Sequence, residues 1–266
     1  MCGAGALPAR MAAEARRQGW RVVAFAFGDA PGVEVHADVT ITSRLTEIGP
    51  VLAALQRETI TAALFSGKFW LADVLKTTSG DEAGEAITAR AGALTDGGLA
   101  TVVVDTLGAL GIEVLDQRGF VGDWLSTTPD VLGTRQPSAQ EWSDVQRGLT
   151  VARSFADAGV GQTVVIKRGV VAAVEALEGT TAAIRRGGQL AGAGAVAVKA
   201  VARHNDYRFD TPAIGVETIA AAAAAGLGVV AVEAGRVLVM DRAATIAEAD
   251  RTDVALVTVG DGDVPG

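Results

Sequence analysis

The stretch V-V-I-K-R-G-V-V-A-A-V-E-A-L-E-G-T-T-A-A-I, residues 164–184, decides the fold of the second half of this chain. Its β-branched runs on either side of Arg168 and Gly169 predict two strands joined by a tight turn, with a helix after them. A related run, V-V-A-V-E-A-G-R-V-L-V-M-D-R-A-A-T-I at residues 229–246, repeats this order with its turn at residues 234–236. Two such hairpin-plus-helix units predict a mixed sheet with helices on a face, and not a second parallel Rossmann half.

The rest of the second half fits around these two units. A helix over residues 138–158 opens it, a strand over 195–201 lies between the repeats, and a strand over 254–259 closes it. The turn-rich segment 117–138 has no clear period and is a candidate linker or lid. We therefore predict an N-terminal nucleotide-binding-like α/β domain, residues 1–135, and a C-terminal catalytic α/β domain, residues 136–266.

Helical and strand patterns alternate through the first half of the chain. This α/β alternation predicts a Rossmann-like parallel sheet whose ligands bind at the carboxyl ends of the strands. The predicted helices are residues 9–18, 45–56 and 96–110, and the predicted strands are residues 20–27, 60–65 and 112–115.

The glycine turn G-A-G-A-L-P, residues 3–8, lies at the beginning of this alternation. It is not a complete G-x-G-x-x-G fingerprint, so backbone contacts from Gly3 and Gly5 to a phosphate and a plain structural turn are equally open. Such a turn normally follows a first strand, and only Met1 and Cys2 precede it here. Either that strand is missing, through a misassigned start, or the sheet is built differently; we favour the former.

Composition excludes several classes of protein. The chain of 266 residues is 49% hydrophobic, which predicts a sizeable buried core, and its net charge of −8 argues against a nucleic-acid partner. Cys2 is its single cysteine, so neither an intrachain disulfide nor a cysteine zinc cluster can form, and a reducing cytoplasm fits. No secretory signal is evident, and the longest apolar run, residues 219–232, is too short to span a bilayer.

The side chains available for chemistry favour phosphate substrates. The two histidines lie far apart in sequence, and neither a Walker A motif nor a serine nucleophile elbow occurs. Lys68, Lys199 and Arg208 can neutralise phosphate oxygens. Asp210, with a glutamate at 175 or 178, can hold a hard cation or activate water.

The stretch K-A-V-A-R-H-N-D-Y-R-F-D-T-P-A-I-G-V-E-T, residues 199–218, concentrates this chemistry. Thr211 precedes Pro212, which biases the local backbone toward an extended, stiff conformation that can aim a carboxylate. The competing interpretation is that Asp210 or Thr211 caps the helix that follows, with Pro212 in its first turn.

Several motifs taken together make the chain resemble the LpxI-type UDP-2,3-diacylglucosamine pyrophosphatases, bacterial enzymes of lipid A synthesis. They run in the family's order over nearly the whole chain, and those of the second half are specific as a set. They are G-A-G-A-L-P at 3–8, S-G-K at 66–68, G-Q at 161–162, A-V-E-A-L-E-G-T at 173–180, Lys199, R-F-D-T-P-A-I-G at 208–215 and E-A-G-R-V-L-V-M-D at 233–241.

The resemblance implies two α/β domains and Mg²⁺-dependent hydrolysis of UDP-2,3-diacylglucosamine to UMP and 2,3-diacylglucosamine 1-phosphate. Water is expected to attack the phosphorus on the sugar side, and the family's essential aspartate falls on Asp210. Asp210 and Glu175 are the expected metal ligands. The expected substrate-binding residues are Gly3, Gly5, Lys68, Gln162, Thr180, Lys199, Asn205 and Arg208.

The same resemblance implies an acylated sugar nucleotide as partner and a cytoplasmic protein that contacts the inner membrane transiently, and it leaves a homodimer open. The chain departs from the family pattern at Thr181, where an acid is usual, and in the run A-R-H-N-D at 202–206. The alternative is therefore a drifted relative that binds a sugar nucleotide or acylated sugar lipid without turnover. A nicotinamide-dependent oxidoreductase built on the glycine turn is a third, weaker hypothesis.

Overall fold

The computed structural model describes residues 1–68, 80–85 and 96–260. The chain forms two compact units that do not divide at a single point. The first unit contains Met1–Gly122 and also Tyr207–Asp210, and the second contains Asp123–Asp206 and Thr211–Gly266. The chain therefore leaves the second unit once, for four residues, and then returns to it.

Helices and strands alternate through most of the described chain. The helices are α1 (Leu7–Arg17), α2 (Val33–His36), α3 (Ile48–Arg57), α4 (Asp96–Ala109), α5 (Ala139–Asp157), α6 (Thr180–Ala191), α7 (Val216–Ala224) and α8 (Arg242–Arg251). The strands are β1 (Val23–Ala26), β2 (Val39–Thr42), β3 (Ala62–Ala63), β4 (Glu113–Val114), β5 (Asp130–Val131), β6 (Thr163–Lys167), β7 (Val170–Val174), β8 (Val196–Lys199), β9 (Ala213–Ile214), β10 (Val229–Glu233), β11 (Leu238–Val239) and β12 (Ala255–Val259). Two 3₁₀ helices, Gln117–Phe120 and Gly122–Trp124, follow β4.

A six-stranded mixed sheet with the order β5-β12-β10-β8-β6-β7 forms the centre of the second unit. Strands β8, β10 and β12 are parallel to one another, whereas β5, β6 and β7 pair antiparallel with their neighbours. Helix α5 packs on this sheet through Val145, Leu149 and Ala152, which share one buried cluster with the strand residues. Gly148 lets the helix approach closely, because a Cβ there would lie 2.5 Å from Cγ2 of Val198. The predicted mixed sheet is confirmed.

The first predicted hairpin is also confirmed. Strands β6 and β7 pair antiparallel around Arg168 and Gly169. The φ angles of these residues, 48° and 75°, are both positive, as in a type I′ turn, whose twist matches that of the flanking strands. The buried carboxylate of Asp144 on α5 accepts the backbone N–H groups of both turn residues, at 2.8 and 2.6 Å. The helix under the sheet thus fixes the turn that sets the strand register.

The second predicted hairpin is wrong. Strand β10 is paired on both edges, with β8 and β12, so the chain after it has no free edge on which to fold back. A turn at Gly235 does occur, but β11 pairs in parallel with β9 instead of returning along β10. The two related sequences therefore adopt different pairings because one strand lies near a sheet edge and the other lies inside the sheet.

In the described part of the first unit, β1 pairs in parallel with β2, and β3 pairs in parallel with β4. Residues at the beginning of the chain lie between these pairs, since Cys2 forms parallel bridges with both Ala26 and Ser66. The N–H of Cys2 donates to the carbonyl of Phe25 at 2.8 Å, and the N–H of Ser66 donates to that of Met1 at 2.9 Å. The parallel pairing predicted for the first half is present, and Met1 and Cys2 contribute a strand-like segment that the sequence did not indicate.

The predicted helices over 9–18, 45–56, 96–110 and 138–158 correspond to α1, α3, α4 and α5 within a few residues. Helix α5 begins with a complete capping box, in which Ser138 and Glu141 each bond the other's backbone N–H. Among the described residues, no helix combines the length and hydropathy needed to cross a bilayer.

Candidate active site

Asp210 lies at the end of the short segment that belongs with the first unit. Gln117 holds this segment, because its backbone N–H donates to the carbonyl of Tyr207 at 3.0 Å. Its buried side-chain amide also donates to the carbonyl of Arg208, at 3.3 Å. The backbone leading to Asp210 is therefore fixed, whereas the Asp210 side chain itself is exposed.

The segment is anchored by aromatic contacts as well. The rings of Phe65 and Phe209 lie with their centroids 4.9 Å apart, and the Arg118 guanidinium lies 3.9 Å from the centroid of the Tyr207 ring. Such contacts add to simple burial of apolar surface. They place the residue directly before Asp210 against Phe65, two residues after β3.

Asp210 does not cap the following helix. Helix α7 begins at Val216 with Gly215 as its N-cap, so neither Asp210 nor Thr211 occupies the capping position. Strand β9 lies between them and the helix and pairs with β11. The capping interpretation is wrong, because the chain after Pro212 first joins a two-residue strand.

A linked group of polar side chains lies in the second unit. The ammonium of Lys199 donates to the hydroxyl of Thr180 at 2.8 Å, and that hydroxyl donates to Oε1 of Glu175 at 2.9 Å. Lys199 is 7% exposed and Glu175 is 9% exposed. The sequence therefore brings a cation, a hydroxyl and a carboxylate from three separate elements into one buried chain of hydrogen bonds, which we call the lysine–threonine–glutamate cluster.

Strand pairing explains why these residues meet. Thr163, at the beginning of β6, is in register with Lys199 at the end of β8. The N–H of Glu175, directly after β7, donates to the carbonyl of Thr163 at 2.7 Å. The cluster thus lies at the carboxyl edge of the parallel strands, where open α/β sheets bind their ligands.

One buried oxygen of Glu175 lacks a hydrogen-bond partner within the described part of the chain. Among the described residues, neither Oε2 of Glu175 nor Oγ1 of Thr163 has a hydrogen-bond partner, although both atoms are buried. Buried polar atoms are normally paired, and an unpaired one calls for an explanation. A carboxylate oxygen of this kind fits a hard cation such as Mg²⁺ as one ligand. No group of three or more His, Cys, Asp or Glu side chains suited to a metal occurs in the described part of the chain.

The amino end of α6 adjoins the cluster. Gly179 is its N-cap with φ of 81°, and Thr180 is its first residue. The first N–H groups of a helix have no partner within it and favour anions. Glu178, the other glutamate considered as a metal ligand, pairs instead with Arg186, and that hydrogen bond lowers the pKa of Glu178. Of the two glutamates, Glu175 is the one that faces Thr180 and Lys199.

Three predicted binding residues meet in the first unit. The backbones of Ala4 and Lys68 exchange hydrogen bonds of 2.9 and 2.8 Å, and a Cβ on Gly3 would lie 2.5 Å from the Lys68 carbonyl oxygen. The N–H groups of Gly3 and Gly5 donate to the carbonyls of Ser66 and Asp29. The Lys68 side chain is exposed. Backbone hydrogen bonds therefore hold the glycine turn against the S-G-K stretch at 66–68. The role of both stretches in substrate binding remains a prediction.

The remaining predicted residues lie along the chain around Lys199. The carbonyl of Gln162 accepts the N–H of Ala200 at 2.9 Å, which places Gln162 beside the end of β8. Asn205 is partly buried and donates its N–H to the carbonyl of Ala202 at 3.1 Å. Arg208 lies in the same segment as Asp210.

A second charged group at this sheet edge was not predicted from the residues. Glu233, at the end of β10, is 2% exposed and accepts hydrogen bonds from the guanidinium of Arg153 on α5, at 3.0 and 2.7 Å. Arg236 donates to the same oxygen at 3.3 Å. The motif E-A-G-R at 233–236 contains two of the three residues, Glu233 and Arg236. Arg153 lies 80 positions away along the chain, and no local sequence pattern indicates that it meets them.

Comparison with known proteins gives consistent matches over both units. The family model of the LpxI N-terminal domain matches residues 1–124, and that of the LpxI C-terminal domain matches residues 128–257. A curated protein of Caulobacter vibrioides, named UDP-2,3-diacylglucosamine pyrophosphatase LpxI, is 33% identical over an alignment of 278 residues. That alignment covers 98% of this chain and 95% of the relative.

Proposed function

The chain belongs to the LpxI family, and on that premise we propose that it hydrolyses UDP-2,3-diacylglucosamine to UMP and 2,3-diacylglucosamine 1-phosphate. In this reaction water attacks the phosphorus on the sugar side, and the bond from that phosphorus to the bridging oxygen breaks. The bridging oxygen leaves with UMP, and the oxygen of water remains in the sugar phosphate. The name of the Caulobacter vibrioides relative supports this substrate.

The single observation that carries the proposal is the lysine–threonine–glutamate cluster. An ammonium group with little exposure to water interacts strongly with a phosphoryl oxygen, because the local dielectric is low. Thr180 holds the Lys199 ammonium in place and is also the first residue of α6. The amino end of a helix adds partial positive charge to the same location. The cluster is therefore suited to stabilise charge on a phosphoryl group.

We assign Asp210 as the catalytic carboxylate. A positioned carboxylate can accept a proton from the attacking water, and the fixed backbone before Asp210 limits where its carboxylate can lie. Arg208, two residues before it, supplies a guanidinium for phosphate oxygens. Gln162 and Asn205 are proposed to contact the substrate, together with Gly3, Gly5 and Lys68 of the first unit.

Mg²⁺ is the proposed cofactor, with Glu175 and Asp210 as its protein ligands. Oε2 of Glu175, which has no hydrogen-bond partner in residues 1–68, 80–85 and 96–260, fits one coordination position. When bound, the ion neutralises phosphoryl charge and lowers the pKa of a coordinated water. Lys199 would keep its contact with Thr180 and leave the second oxygen of Glu175 for the ion.

We propose a Rossmann-like arrangement for the first unit. The bridges of Cys2 to Ala26 and Ser66 support a sheet in which the strands lie side by side in the order β2, β1, the Cys2 segment, β3 and β4. When the Cys2 segment is counted as strand 1, this spatial order is 3-2-1-4-5 in chain numbering. That order occurs in dinucleotide-binding folds. It favours the nucleotide part of the substrate as the ligand of this unit.

Hydrolysis is tested with purified protein, UDP-2,3-diacylglucosamine and Mg²⁺. We expect release of UMP that is abolished by chelation with EDTA and reduced to background in Asp210→Ala. In H₂¹⁸O the label should enter 2,3-diacylglucosamine 1-phosphate and not UMP. Failure of the wild type to release UMP above the Asp210→Ala control would overturn the proposal. Tight binding of substrate without turnover would support the non-catalytic alternative instead.

We propose that the protein works in the cytoplasm and contacts the inner membrane transiently, since the substrate carries two acyl chains. Sedimentation with vesicles of inner-membrane lipids should show weak binding that increases when the substrate is included. Equal sedimentation with and without substrate would contradict this. Analytical ultracentrifugation tests for a homodimer.

A further inference from the structure

Thr163 carries a buried hydroxyl that the lysine–threonine–glutamate cluster does not use. The residue is 1% exposed, and within residues 1–68, 80–85 and 96–260 its Oγ1 has no hydrogen-bond partner. A buried hydroxyl without a partner is unfavourable, because it has given up its hydrogen bonds to water. A valine has nearly the same shape and would avoid this cost. Packing therefore does not explain why the residue is a threonine.

The sheet places Thr163 in the middle of a row of polar residues. Thr163 on β6 is in register with Lys199 on β8. On the other side Val164 is in register with Val174, and the N–H of Glu175 donates to the carbonyl of Thr163 at 2.7 Å, so that Glu175 lies opposite Thr163. Opposed residues on neighbouring strands share one face of a sheet. Glu175, Thr163 and Lys199 therefore form one row on one face.

This row faces α6. Val165, two residues after Thr163, lies against that helix, since a Cβ on Gly187 would lie 2.4 Å from Cβ of Val165. Successive side chains of a strand alternate between faces, and Val164 accordingly belongs to the cluster packed with α5. Thr180, the first residue of α6, forms hydrogen bonds with both outer members of the row. The Thr163 hydroxyl lies on the same face, between those members, and takes no part in these bonds.

Two buried oxygens without a partner thus belong to directly opposed residues. They are Oγ1 of Thr163 and Oε2 of Glu175, and neither has a hydrogen-bond partner in the described part of the chain. Opposed Cβ atoms on paired strands lie about 4.5–5.5 Å apart, a separation that lets both side chains contact one small ion. Carboxylate and hydroxyl oxygens are hard ligands, and both types bind Mg²⁺ in proteins.

We propose that Thr163 is a further Mg²⁺-binding residue, whose hydroxyl oxygen contacts the ion together with Oε2 of Glu175. This inference rests on the proposed function, which assigns Glu175 to the ion. Lys199, at the other end of the row, carries a positive charge that opposes a cation nearby. Removing that charge should therefore tighten binding of the ion, whereas removing the Thr163 hydroxyl should weaken it.

Binding of Mn²⁺ to the free protein tests the Thr163 contact without substrate. Mn²⁺ prefers the same oxygen ligands as Mg²⁺, and its EPR signal distinguishes free from bound ion. In Thr163→Val we expect the Kd for Mn²⁺ to rise about 10- to 100-fold, which is the cost of losing even an outer-shell partner of a metal ligand. Thr163→Ser keeps the hydroxyl and should retain most of the affinity.

Thr258→Val is the matched control. Thr258 is a buried threonine of the same sheet and is also 1% exposed, but its hydroxyl donates to the carbonyl of Thr128 at 2.8 Å. The control should lower Tm and leave the Mn²⁺ affinity unchanged, because a satisfied hydrogen bond is lost. Thr163→Val should show the reverse. Its Tm without metal should be equal to that of wild type or higher, and addition of Mn²⁺ should raise it less.

Lys199→Met supplies a test of opposite sign. We expect this variant to bind Mn²⁺ more tightly than wild type, since a neighbouring positive charge has been removed. Equal or weaker binding would place the ion away from the row and would overturn the inference.

The other outcomes separate the inference from the proposed hydrolysis. Unchanged Mn²⁺ affinity in Thr163→Val overturns the inference, and a lower Tm of that variant would then identify a buried water as the partner of the hydroxyl. Absence of Mn²⁺ binding to the wild type, both with and without UMP, overturns it as well. If Mn²⁺ binding follows the expected pattern but the wild type releases no UMP from its substrate, the hydrolase proposal fails and the ion contact stands. If UMP is released and Thr163→Val binds Mn²⁺ as wild type does, the inference alone fails.

Discussion

The lysine–threonine–glutamate cluster and the segment that carries Asp210 present their charges in different ways. The cluster is buried, and its ammonium, hydroxyl and carboxylate are positioned by one another. Asp210 is exposed, and the segment that carries it is held through the backbone carbonyls of Tyr207 and Arg208 and through the ring of Phe209. A buried cluster contributes to stability as well as to chemistry, whereas an exposed carboxylate on a fixed backbone can be changed at little structural cost.

The largest expected effect follows from removing the exposed carboxylate. Asp210→Asn should lower kcat about 10²- to 10⁴-fold, the range for loss of a positioned acid or base, while the free energy of unfolding changes by less than about 0.5 kcal/mol. Kinetics and thermal unfolding of the same preparations check this. Glu217→Gln, an exposed carboxylate in the first turn of α7, is the control. A large loss of stability in Asp210→Asn would remove the contrast between the two regions.

Lys199→Met should reduce both activity and stability. The change leaves the Thr180 hydroxyl without its donor, which should cost about 1–3 kcal/mol in the free energy of unfolding. Loss of a preorganised cation should lower kcat/KM about 10²- to 10³-fold. Lys167→Met is the control, because Lys167 donates to the carbonyls of Ala191 and Ala193 and should affect stability alone. If both lysine variants lose activity equally, the cluster has no special role.

Thr180 offers a smaller and more selective test. Thr180→Val keeps the shape of the side chain but removes the hydroxyl that links Lys199 to Glu175, and should cost about 1 kcal/mol in unfolding and roughly 10-fold in kcat/KM. Thr180→Ser keeps the hydroxyl and should retain most of the stability and most of the activity. Denaturant unfolding and kinetics distinguish the pair of variants. Equal stability and equal kcat/KM of the Thr180→Val and Thr180→Ser variants would show that the hydrogen bonds of the Thr180 hydroxyl contribute to neither.

The smallest effect concerns a glutamate of the second unit that has partners for both oxygens. Burial opposes ionisation of Glu141, but hydrogen bonds from Arg135 and Ser138 outweigh it and lower its pKa below 4.5. Its stabilising contribution is therefore complete above pH 4.5 and is lost as pH falls through the lowered folded-state pKa. Glu141→Gln should cost about 1 kcal/mol at neutral pH, as for loss of a helix cap.

Thermal unfolding between about pH 6 and pH 3 checks this dependence. The difference in Tm between wild type and Glu141→Gln should narrow as the pH falls. A difference that is independent of pH would mean that the capping geometry matters and the charge does not.

Much of the secondary structure was predictable, because local periodicity and turn residues specify it. Residues 138–158 and the hairpin at Arg168 were correct, since a capping box and a compatible turn are local signals. The hairpin predicted at residues 234–236 failed, because a sequence does not state whether a strand such as β10 has a free edge. The strand-like role of Cys2 was missed for a similar reason, since two residues carry no period.

The members of the lysine–threonine–glutamate cluster could be named from the sequence, but their arrangement could not. Lys199, Thr180 and Glu175 were each identified, and only strand register shows that they form one hydrogen-bonded chain. The capping role considered for Asp210 could not be rejected locally, because β9 is just two residues long. Glu233 and Arg153 meet through tertiary packing of α5 on the sheet, and no spacing rule relates them.

The discontinuous first unit has a consequence for synthesis of the protein. Its last four residues, Tyr207–Asp210, are separated from Gly122 by the 84 residues of Asp123–Asp206. On the ribosome, the partners of Gln117 and Phe65 in this segment become available only after most of the second unit has emerged. Such distant contacts form late and slow folding. A fragment that ends at Gly122 would therefore lack the segment on which Asp210 lies, and separately expressed halves should not reconstitute this part of the site simply by mixing.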